Sequence, residues 1–358
     1  MTDRAQTGVD EVTRGMRTKD FDYPLDEALI AQRPLSERDA SRLLHVRRSD
    51  STLEDGTFRD LARLIPPGDV VVLNETRVFP ARLLGYKPSG AAAEVLLLEP
   101  IDAEGFRWRA LVRPGGKLKP GRVVKVGDDL DVEILESTGD GARLVRLVTS
   151  LAPDESVTRY GRVPLPPYIR REDDDSDRGR YQTVYAEESG SVAAPTAGLH
   201  FTEEMIEAME ERGIEIARLT LHVGPGTFRP VDVDDPAEHR LEAERYRVEP
   251  KSAETINRCR EAGGAVWAVG TTTVRTLETV ADAHGRVRPG TGSTELFIRP
   301  GHRFRIVDRI VTNFHLPRST LLMLVAAFAG YDLTMQAYRH AMEQKYRFYS
   351  YGDAMAVI

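Results

Sequence analysis

The apolar and polar positions of the chain follow two different patterns. Between about Val70 and Val148, short β-type runs such as AEVLLLE and FRWRALV are separated by Gly, Pro and Asp turns, and no segment of helical periodicity interrupts them. On both sides of this region, helical periods alternate with strand-like runs. We therefore predict an α/β protein in which a larger discontinuous domain, residues 21–60 and 150–358, is interrupted by a small all-β domain of sandwich or barrel type, residues 61–149.

Residues 191–231 contain a helix and a strand between two turns that are rich in Gly, Pro, His and Thr. Thr202 is a candidate N-cap, Gly213 ends the helix, and residues 214–222 alternate as a strand. Such turns bring main-chain N–H groups close to a ligand, although two tight connections with half-buried histidines would give the same pattern. Because both turns flank one helix–strand unit, we favour a ligand site, with the candidates Pro195, Thr196, Gly198, His200, Phe201, His222, Gly224, Gly226 and Thr227.

Two other predicted strand ends also carry polar residues. A strand at 265–269 leads into a Gly-Thr turn and a helix, and a strand at 309–312 leads into the sequence NFHLP. Proteins of the α/β class place ligands at such points. The glycine–lysine pattern of a Walker loop is missing here. The candidate residues at these two ends are Gly270, Thr271, Thr272, Arg275, Asn313 and His315.

Composition restricts the class of protein. Hydrophobic residues make up 41% of the chain and charged residues 29%, as in globular proteins, and the single cysteine, Cys259, excludes disulfides within the chain. Residues 1–20 are polar, so we expect a disordered tail and no signal peptide. The longest apolar run, 321–329, is too short to span a bilayer. We therefore expect a cytoplasmic protein with no membrane partner.

A local excess of positive charge lies between Phe106 and Gly127. This segment has seven Lys or Arg residues and no Asp or Glu, although the whole chain carries a net charge of −7. Its tip, PGGKLKPG, is typical of an exposed loop, and a basic loop on an acidic protein is a candidate contact for RNA phosphates. A solvated hairpin is the alternative. The candidate RNA-binding residues are Arg113, Lys117, Lys119 and Arg122.

The motifs of several enzyme classes are missing. The sequence has no HExxH, no paired CxxC, no GxSxG and no Walker A motif, and the acidic run 172–177 does not fit an EF-hand because Arg178 stands where the glycine belongs. We therefore expect no metal site. The histidines at the ends of different predicted elements suit acid–base chemistry on a neutral or cationic small molecule. These histidines are His200, His222 and His315.

Eight motifs in order resemble the S-adenosylmethionine:tRNA ribosyltransferase-isomerase family of queuosine synthesis. The resemblance runs from about residue 20 to the end of the chain, and the motifs are FDYPLDEALIAQRP (21–34), NETRVFPARL (74–83), PLPPYIRR (164–171), PTAGLHF (195–201), LHVGPGTF (221–228), VGTTTVRTLE (269–278), TNFHLPRSTLLMLVAAFAG (312–330) and YRFYSYGDAM (346–355). It implies an α/β, barrel-like catalytic domain with an inserted β-barrel.

The resemblance also implies a reaction and its partners. In this family S-adenosylmethionine donates its ribosyl moiety to 7-aminomethyl-7-deazaguanine at the wobble position of tRNA, and the products are epoxyqueuosine-tRNA, adenine and methionine. S-adenosylmethionine would thus be a co-substrate, with no further cofactor. A base must remove a proton beside the sulfonium, adenine needs an acid or hydrogen bond to leave, and the attacking amine must be neutral. A monomer is expected.

We assign roles by motif and chemistry as hypotheses. His200 is the leading acid–base residue, with Thr196 and Gly198 beside it, and His222 and the 224–227 turn form the opposite wall. Gly270, Thr271, Thr272 and Arg275 would hold the methionine or ribose end, and Asn313 and His315 would contact adenine or ribose. Four aromatic residues of the C-terminal segment are core residues or, alternatively, stacking faces for RNA bases: Tyr346, Phe348, Tyr349 and Tyr351.

One segment departs from the family pattern His-x-Met-His-Ser-Glu. Here it reads HRLEAE, so that His239 and Glu244 remain but Glu242 and Ala243 replace the second histidine and the serine. His239 is a further candidate substrate contact. The acid at 242 leaves open a different acceptor, such as a free deazapurine or another RNA. A non-catalytic RNA-binding protein is the remaining alternative.

Overall fold

The computed structural model describes residues 15–358. In chain order, the strands of this part are β1 (Arg42–Arg47), β2 (Thr52–Thr57), β3 (Val70–Asn74), β4 (Thr76–Val78), β5 (Arg82–Tyr86), β6 (Ala92–Pro100), β7 (Arg107–Arg113), β8 (Val123–Gly127), β9 (Leu130–Ser137), β10 (Arg143–Val148), β11 (Glu188–Ser191), β12 (Glu215–Leu221), β13 (Glu244–Val248), β14 (Val266–Val269), β15 (Gly290–Thr294), β16 (Arg309–Asn313) and β17 (Ala354–Val357). The α-helices are α1 (Leu61–Leu64), α2 (Pro153–Tyr160), α3 (Asp175–Arg180), α4 (Glu203–Glu211), α5 (Pro250–Glu261), α6 (Thr271–Val280), α7 (Thr320–Ala329) and α8 (Tyr331–Glu343).

Nine strands form one large mixed sheet. Its order is β15-β13-β12-β3-β14-β16-β17-β1-β2, with parallel pairing across β12-β3-β14-β16 and antiparallel strands at both ends. The mixed α/β class is therefore confirmed. Within the described residues this sheet ends at β15 and β2 and is not closed, so the barrel-like form expected for the larger domain is wrong.

Strand β3 corrects one expectation. The sequence pattern placed Val70–Asn74 in the all-β domain, but β3 pairs with β12 and β14 at the centre of the large sheet. Val70 and Val72 belong to the apolar cluster that includes helices α5 and α6 on one face, whereas Val71 and Leu73 belong to the cluster that includes α1 and α4 on the other. Because both faces of β3 are covered, its sequence is a continuous apolar run, as in any strand that is buried on both faces. Such a run does not indicate which strands β3 pairs with.

Six strands close into the expected barrel. The order is β10-β7-β6-β5-β8-β9, from Arg82 to Val148, around a core of its own. A Cβ built on Gly85 would lie 2.4 Å from the carbonyl oxygen of Lys125, so β5 and β8 approach so closely that only glycine fits at this position. The barrel form is confirmed, while the limits of the two domains stay a prediction.

The two ends of the chain differ from the expectations. Residues 1–14 of the expected tail lie outside the described residues, but Thr18–Phe21 is a 3-10 helix and the Thr18 hydroxyl donates to the Val233 carbonyl at 2.6 Å, so the tail was predicted too long. The four aromatic residues of the C-terminal segment are at most 5% exposed and pack in the core. Core packing is therefore confirmed for them, and base stacking is wrong.

Helices α7 and α8 carry the longest apolar stretch. Across residues 15–358, no single helix has both the length and the hydropathy to cross a membrane. The two helices meet those criteria only as a pair, which is bent by 116°.

Candidate active site

The carboxyl ends of four parallel strands, β3, β12, β14 and β16, meet at one edge of the sheet. Asn74, the last residue of β3, connects them. Its Nδ2 donates to the Leu221 carbonyl at 3.0 Å and to the Thr272 hydroxyl at 3.2 Å, and its Oδ1 accepts from the Leu221 amide at 3.0 Å. This edge is where α/β sheets hold ligands.

A cavity of about 150 Å³ opens beside this edge, between the end of β12 and the barrel. Its wall includes Leu98, Glu99 and Arg109 of β6 and β7. The charged side chains of the wall are five arginines and three glutamates. The cavity brings together six of the residues predicted from the sequence, which are His222, Gly224, Gly226, Thr227, His239 and Arg275.

Glu244, the first residue of β13, organises one side of this cavity. Its carboxylate is buried and accepts hydrogen bonds from the Gly224 amide at 3.0 Å and from the Thr227 hydroxyl at 2.9 Å. Its other oxygen forms an ion pair with Arg275 at 2.5 Å. Glu244 therefore fixes the 224–227 turn to helix α6, and a buried charge that is paired and hydrogen-bonded is tolerated.

His222 follows directly after β12 and lines the cavity with a half-buried ring. Its Nδ1 lies 2.8 Å from the Thr76 hydroxyl oxygen, and that hydroxyl is within 3.5 Å of the Glu188 carbonyl. If the hydroxyl donates to the carbonyl, its oxygen accepts from Nδ1–H, which leaves the lone pair on Nε2. Burial and the neighbouring Arg245 and Arg247 lower the pKa of His222 to about 4, so its imidazole is neutral near pH 7.

His200 has a different environment. Its Nδ1 lies 3.0 Å from the Ser41 hydroxyl, and its Nε2 lies 3.1 Å from Nδ2 of Asn313. Because the same Nδ2 donates to the Tyr349 carbonyl, it is the amide nitrogen, so Nε2 of His200 accepts and Nδ1 carries the proton. Burial and the Arg347 guanidinium lower the pKa of His200 to about 3. His200 is outside the cavity wall, and both of its ring nitrogens are occupied.

His315 is also buried outside the cavity. Its Nε2 lies 2.9 Å from the Thr312 hydroxyl, and burial lowers its pKa to about 3. Gly270 adjoins Ala197, since a Cβ built on Gly270 would lie 3.7 Å from the Cβ of Ala197. The turn that contains Thr196 and Gly198 therefore meets the end of β14 behind the cavity. The predicted residues that the structure leaves out of the cavity wall are Pro195, Thr196, Gly198, His200, Phe201, Gly270, Thr271, Thr272, Asn313 and His315.

The four candidate RNA-binding residues, Arg113, Lys117, Lys119 and Arg122, are exposed on the barrel. Leu118 between them is buried and anchors the loop tip. The side chain of Arg143 reinforces the loop by donating to the carbonyls of Gly115 and Leu118. The predicted basic loop is therefore an ordered, solvent-facing feature.

Sequence reasoning missed three residues that shape the site. Asn74 and Thr76 lie in the motif NETRVFPARL. Glu244 is the last residue of HRLEAE, the segment that differs from the family pattern. One signal for Glu244 was available, because this residue matches the family pattern His-x-Met-His-Ser-Glu while the two residues before it differ from that pattern. A sequence does not reveal that its partners are a turn 20 residues before it and an arginine 31 residues after it.

Comparisons with known proteins agree with this architecture. The family described as queuosine biosynthesis protein matches residues 18–357. A relative from Symbiobacterium thermophilum, named S-adenosylmethionine:tRNA ribosyltransferase-isomerase, is 54% identical over 345 residues, which cover 96% of this chain and 100% of the relative. A relative of the same name from Moorella thermoacetica is 52% identical over 346 residues, with coverage of 96% and 100%.

A solved structure extends the comparison. The crystal structure of an S-adenosylmethionine tRNA ribosyltransferase from Thermotoga maritima is 39% identical, covers 95% of this chain and 100% of that chain, and superposes with a TM-score of 0.55. The resemblance drawn from the eight motifs is thereby confirmed. The chain belongs to the queuosine biosynthesis protein family.

Proposed function

We propose that this chain transfers and isomerises the ribosyl moiety of S-adenosylmethionine onto 7-aminomethyl-7-deazaguanine at the wobble position of tRNA, giving epoxyqueuosine-tRNA, adenine and methionine. The names of its close relatives support this activity. The observation that carries the proposal is one cavity whose wall combines the neutral imidazole of His222 with the buried pair of Glu244 and Arg275.

His222 is the group that best meets the demand for acid–base chemistry. The sulfonium acidifies an adjacent C–H, and a neutral imidazole with a free Nε2 accepts a proton at neutral pH. Thr76 holds the His222 ring through Nδ1. Gly190 leaves room for this ring, because a Cβ built on Gly190 would lie 2.8 Å from it. We therefore transfer the leading acid–base role from His200 to His222. His200, with Asn313, becomes a positioning residue behind the cavity.

The remaining predicted residues divide into two layers. Gly224, Gly226, Thr227, His239 and Arg275 lie in the cavity wall and are the proposed substrate contacts. The second layer supports the first through Asn74, which joins Thr272 to the end of β12. This layer contains Pro195, Thr196, Gly198, Phe201, Gly270, Thr271, Thr272 and His315.

The RNA substrate would reach the cavity across the barrel. Arg109 of β7 lines the cavity, and β7 ends at Arg113, where the exposed basic loop begins. Basic side chains on this loop suit phosphate contacts, while the target base of an anticodon loop is splayed out at little cost. The inserted barrel within a discontinuous catalytic domain, the monomeric state and the cytoplasmic location stay predictions.

Glu242 supports a second candidate, ribosyl transfer from S-adenosylmethionine to a different acceptor. This glutamate lines the cavity at the position where the family pattern has histidine, and its carboxyl carbon lies 3.8 Å from a Cβ built on Gly226. An acid in place of an imidazole changes the charge that an acceptor amine meets.

Adenine release from S-adenosylmethionine separates these functions. It is measured with tRNA that carries the aminomethyl base, with the free base, and with tRNA that carries guanine at the wobble position. The proposal predicts release only with the first. Release with the free base alone favours the second candidate, and salt-sensitive tRNA binding without any release favours the RNA-binding alternative.

A further inference from the structure

Arg275 on helix α6 has one nitrogen that the protein does not use. The side chain is 5% exposed and lines the cavity. Its Nη1 pairs with Glu244, and its Nε donates to the Leu296 carbonyl at 3.0 Å. Its Nη2 is buried and has no hydrogen-bond partner within residues 15–358. Buried polar atoms without a partner are rare, and each requires an explanation.

Glu244 does not supply the missing acceptor, since Nη2 makes no hydrogen bond to it. One of its oxygens accepts from the Gly224 amide and the Thr227 hydroxyl, and the other accepts from Nη1 of Arg275. These contacts and the Leu296 carbonyl hold the guanidinium in a single orientation. Nη2 is therefore a preorganised donor whose acceptor comes from outside the chain, either an ordered water or a ligand that replaces it.

The surrounding charge indicates the chemistry of that acceptor. Five arginines and three glutamates in the cavity wall leave an excess of positive charge, which favours an anionic oxygen. Guanidinium nitrogens bind carboxylates and phosphates in particular. A backbone phosphate carries a sugar on each side and is unsuited to a donor this deeply buried, whereas a terminal carboxylate is small enough. The α-carboxylate is the anionic group of S-adenosylmethionine.

We infer that Nη2 of Arg275, oriented by Glu244, binds the α-carboxylate of S-adenosylmethionine and so selects the amino-acid end of the donor. The inference rests on the proposed function and deepens it, because it assigns the two ends of the cavity. His222 serves the reacting ribosyl end, and Arg275 serves the methionine end.

Decarboxylated S-adenosylmethionine is the matched probe, since it keeps the sulfonium, the ribose and the adenine but lacks the carboxylate. Affinity and tRNA-dependent adenine release are measured for both molecules with the wild type, Arg275→Gln and Arg275→Lys. The wild type should prefer S-adenosylmethionine by roughly 10- to 100-fold, the range expected for a hydrogen bond to a charged group. Arg275→Gln should reduce this preference to below about threefold, and Arg275→Lys should keep part of it.

The preference is a ratio within each variant, so a partly unfolded sample does not change it. Arg258→Gln, which removes an exposed arginine paired with Glu215 at 2.7 Å, is the control and should keep the full preference. A wild type that works equally well with both molecules overturns the inference. So does an Arg275→Gln variant that keeps the wild-type preference, or one that changes only the KM for tRNA, which would indicate a phosphate. Failure of the wild type to consume S-adenosylmethionine with the modified tRNA defeats the proposed function instead.

Discussion

His222 gives the sharpest mechanistic prediction. Replacing it by alanine removes the proposed acid–base group from the cavity, and such groups contribute about 10²- to 10⁴-fold to a rate. We expect kcat for adenine release by His222→Ala to fall by a factor in this range. Binding of S-adenosylmethionine should change much less, because Arg275, Glu244 and the 224–227 turn do not depend on the His222 ring for their contacts.

The pH profile tests the electrostatics of the same residue. An unperturbed histidine has a pKa of about 6.5, whereas burial and the neighbouring Arg245 and Arg247 lower the pKa of His222 to about 4. The base form is therefore present throughout pH 5–8, so His222 should contribute no acid limb of its own to kcat/KM above about pH 5. Protonation of the attacking amine lowers the rate of the wild type and of an Arg245→Gln variant alike, so the two profiles are compared with each other. Arg245→Gln removes one positive neighbour, so the acid limb should move upwards toward 6.5.

His284→Ala, at an exposed histidine, is the control and should match the wild type. Far-UV circular dichroism of each variant checks that the fold is retained. Two results would refute this reasoning about His222. The first is near-normal turnover by His222→Ala, and the second is an Arg245→Gln profile whose acid limb coincides with that of the wild type.

Three further predictions concern the fold and the RNA surface. The fold favours the neutral form of His200, whose pKa is lowered to about 3. Its contribution to the free energy of unfolding is therefore complete above about pH 6.5 and is lost as the pH falls toward 3, at up to about 1.4 kcal/mol per pH unit. Urea unfolding between pH 7 and 5 should show a shallower decline in stability for His200→Gln than for the wild type, and equal slopes would contradict this. Exchanging Lys117 and Lys119 for Gln should reduce the slope of log affinity for tRNA against log salt by about 2, with Lys251→Gln as control, and an unchanged slope would remove the loop from the interface. Gly85→Ala should lower the free energy of unfolding by about 1–3 kcal/mol, because its Cβ would lie 2.4 Å from the Lys125 carbonyl oxygen; Gly139→Ala, which meets no atom within 4 Å, should stay within about 0.5 kcal/mol, and equal effects would refute the close approach.

Local signals in the sequence were sufficient for local structure. The Thr202 hydroxyl does accept from the Met205 amide at the start of α4, and α4 is followed by β12, as the capping residue and the alternation of 214–222 predict. These features depend on neighbours within a few residues. The barrel was also predictable, because hairpin-connected strands pair with close neighbours along the chain.

Long-range pairing was not readable from the same patterns. Val70–Asn74 has the composition of a buried strand, but its partners β12 and β14 lie more than 140 residues away in the chain. The two histidines illustrate the same limit. His200 and His222 both adjoin glycine-containing turns. Residues distant in the chain, among them Ser41, Phe58 and Asn313, enclose His200, whereas His222 faces the cavity.

A crystal structure of the wild-type protein with bound S-adenosylmethionine would show where the donor binds. We expect the donor between His222 and Arg275, with its carboxylate within about 3.2 Å of Nη2. A donor bound beside His200, with the cavity at His222 empty, would contradict this expectation.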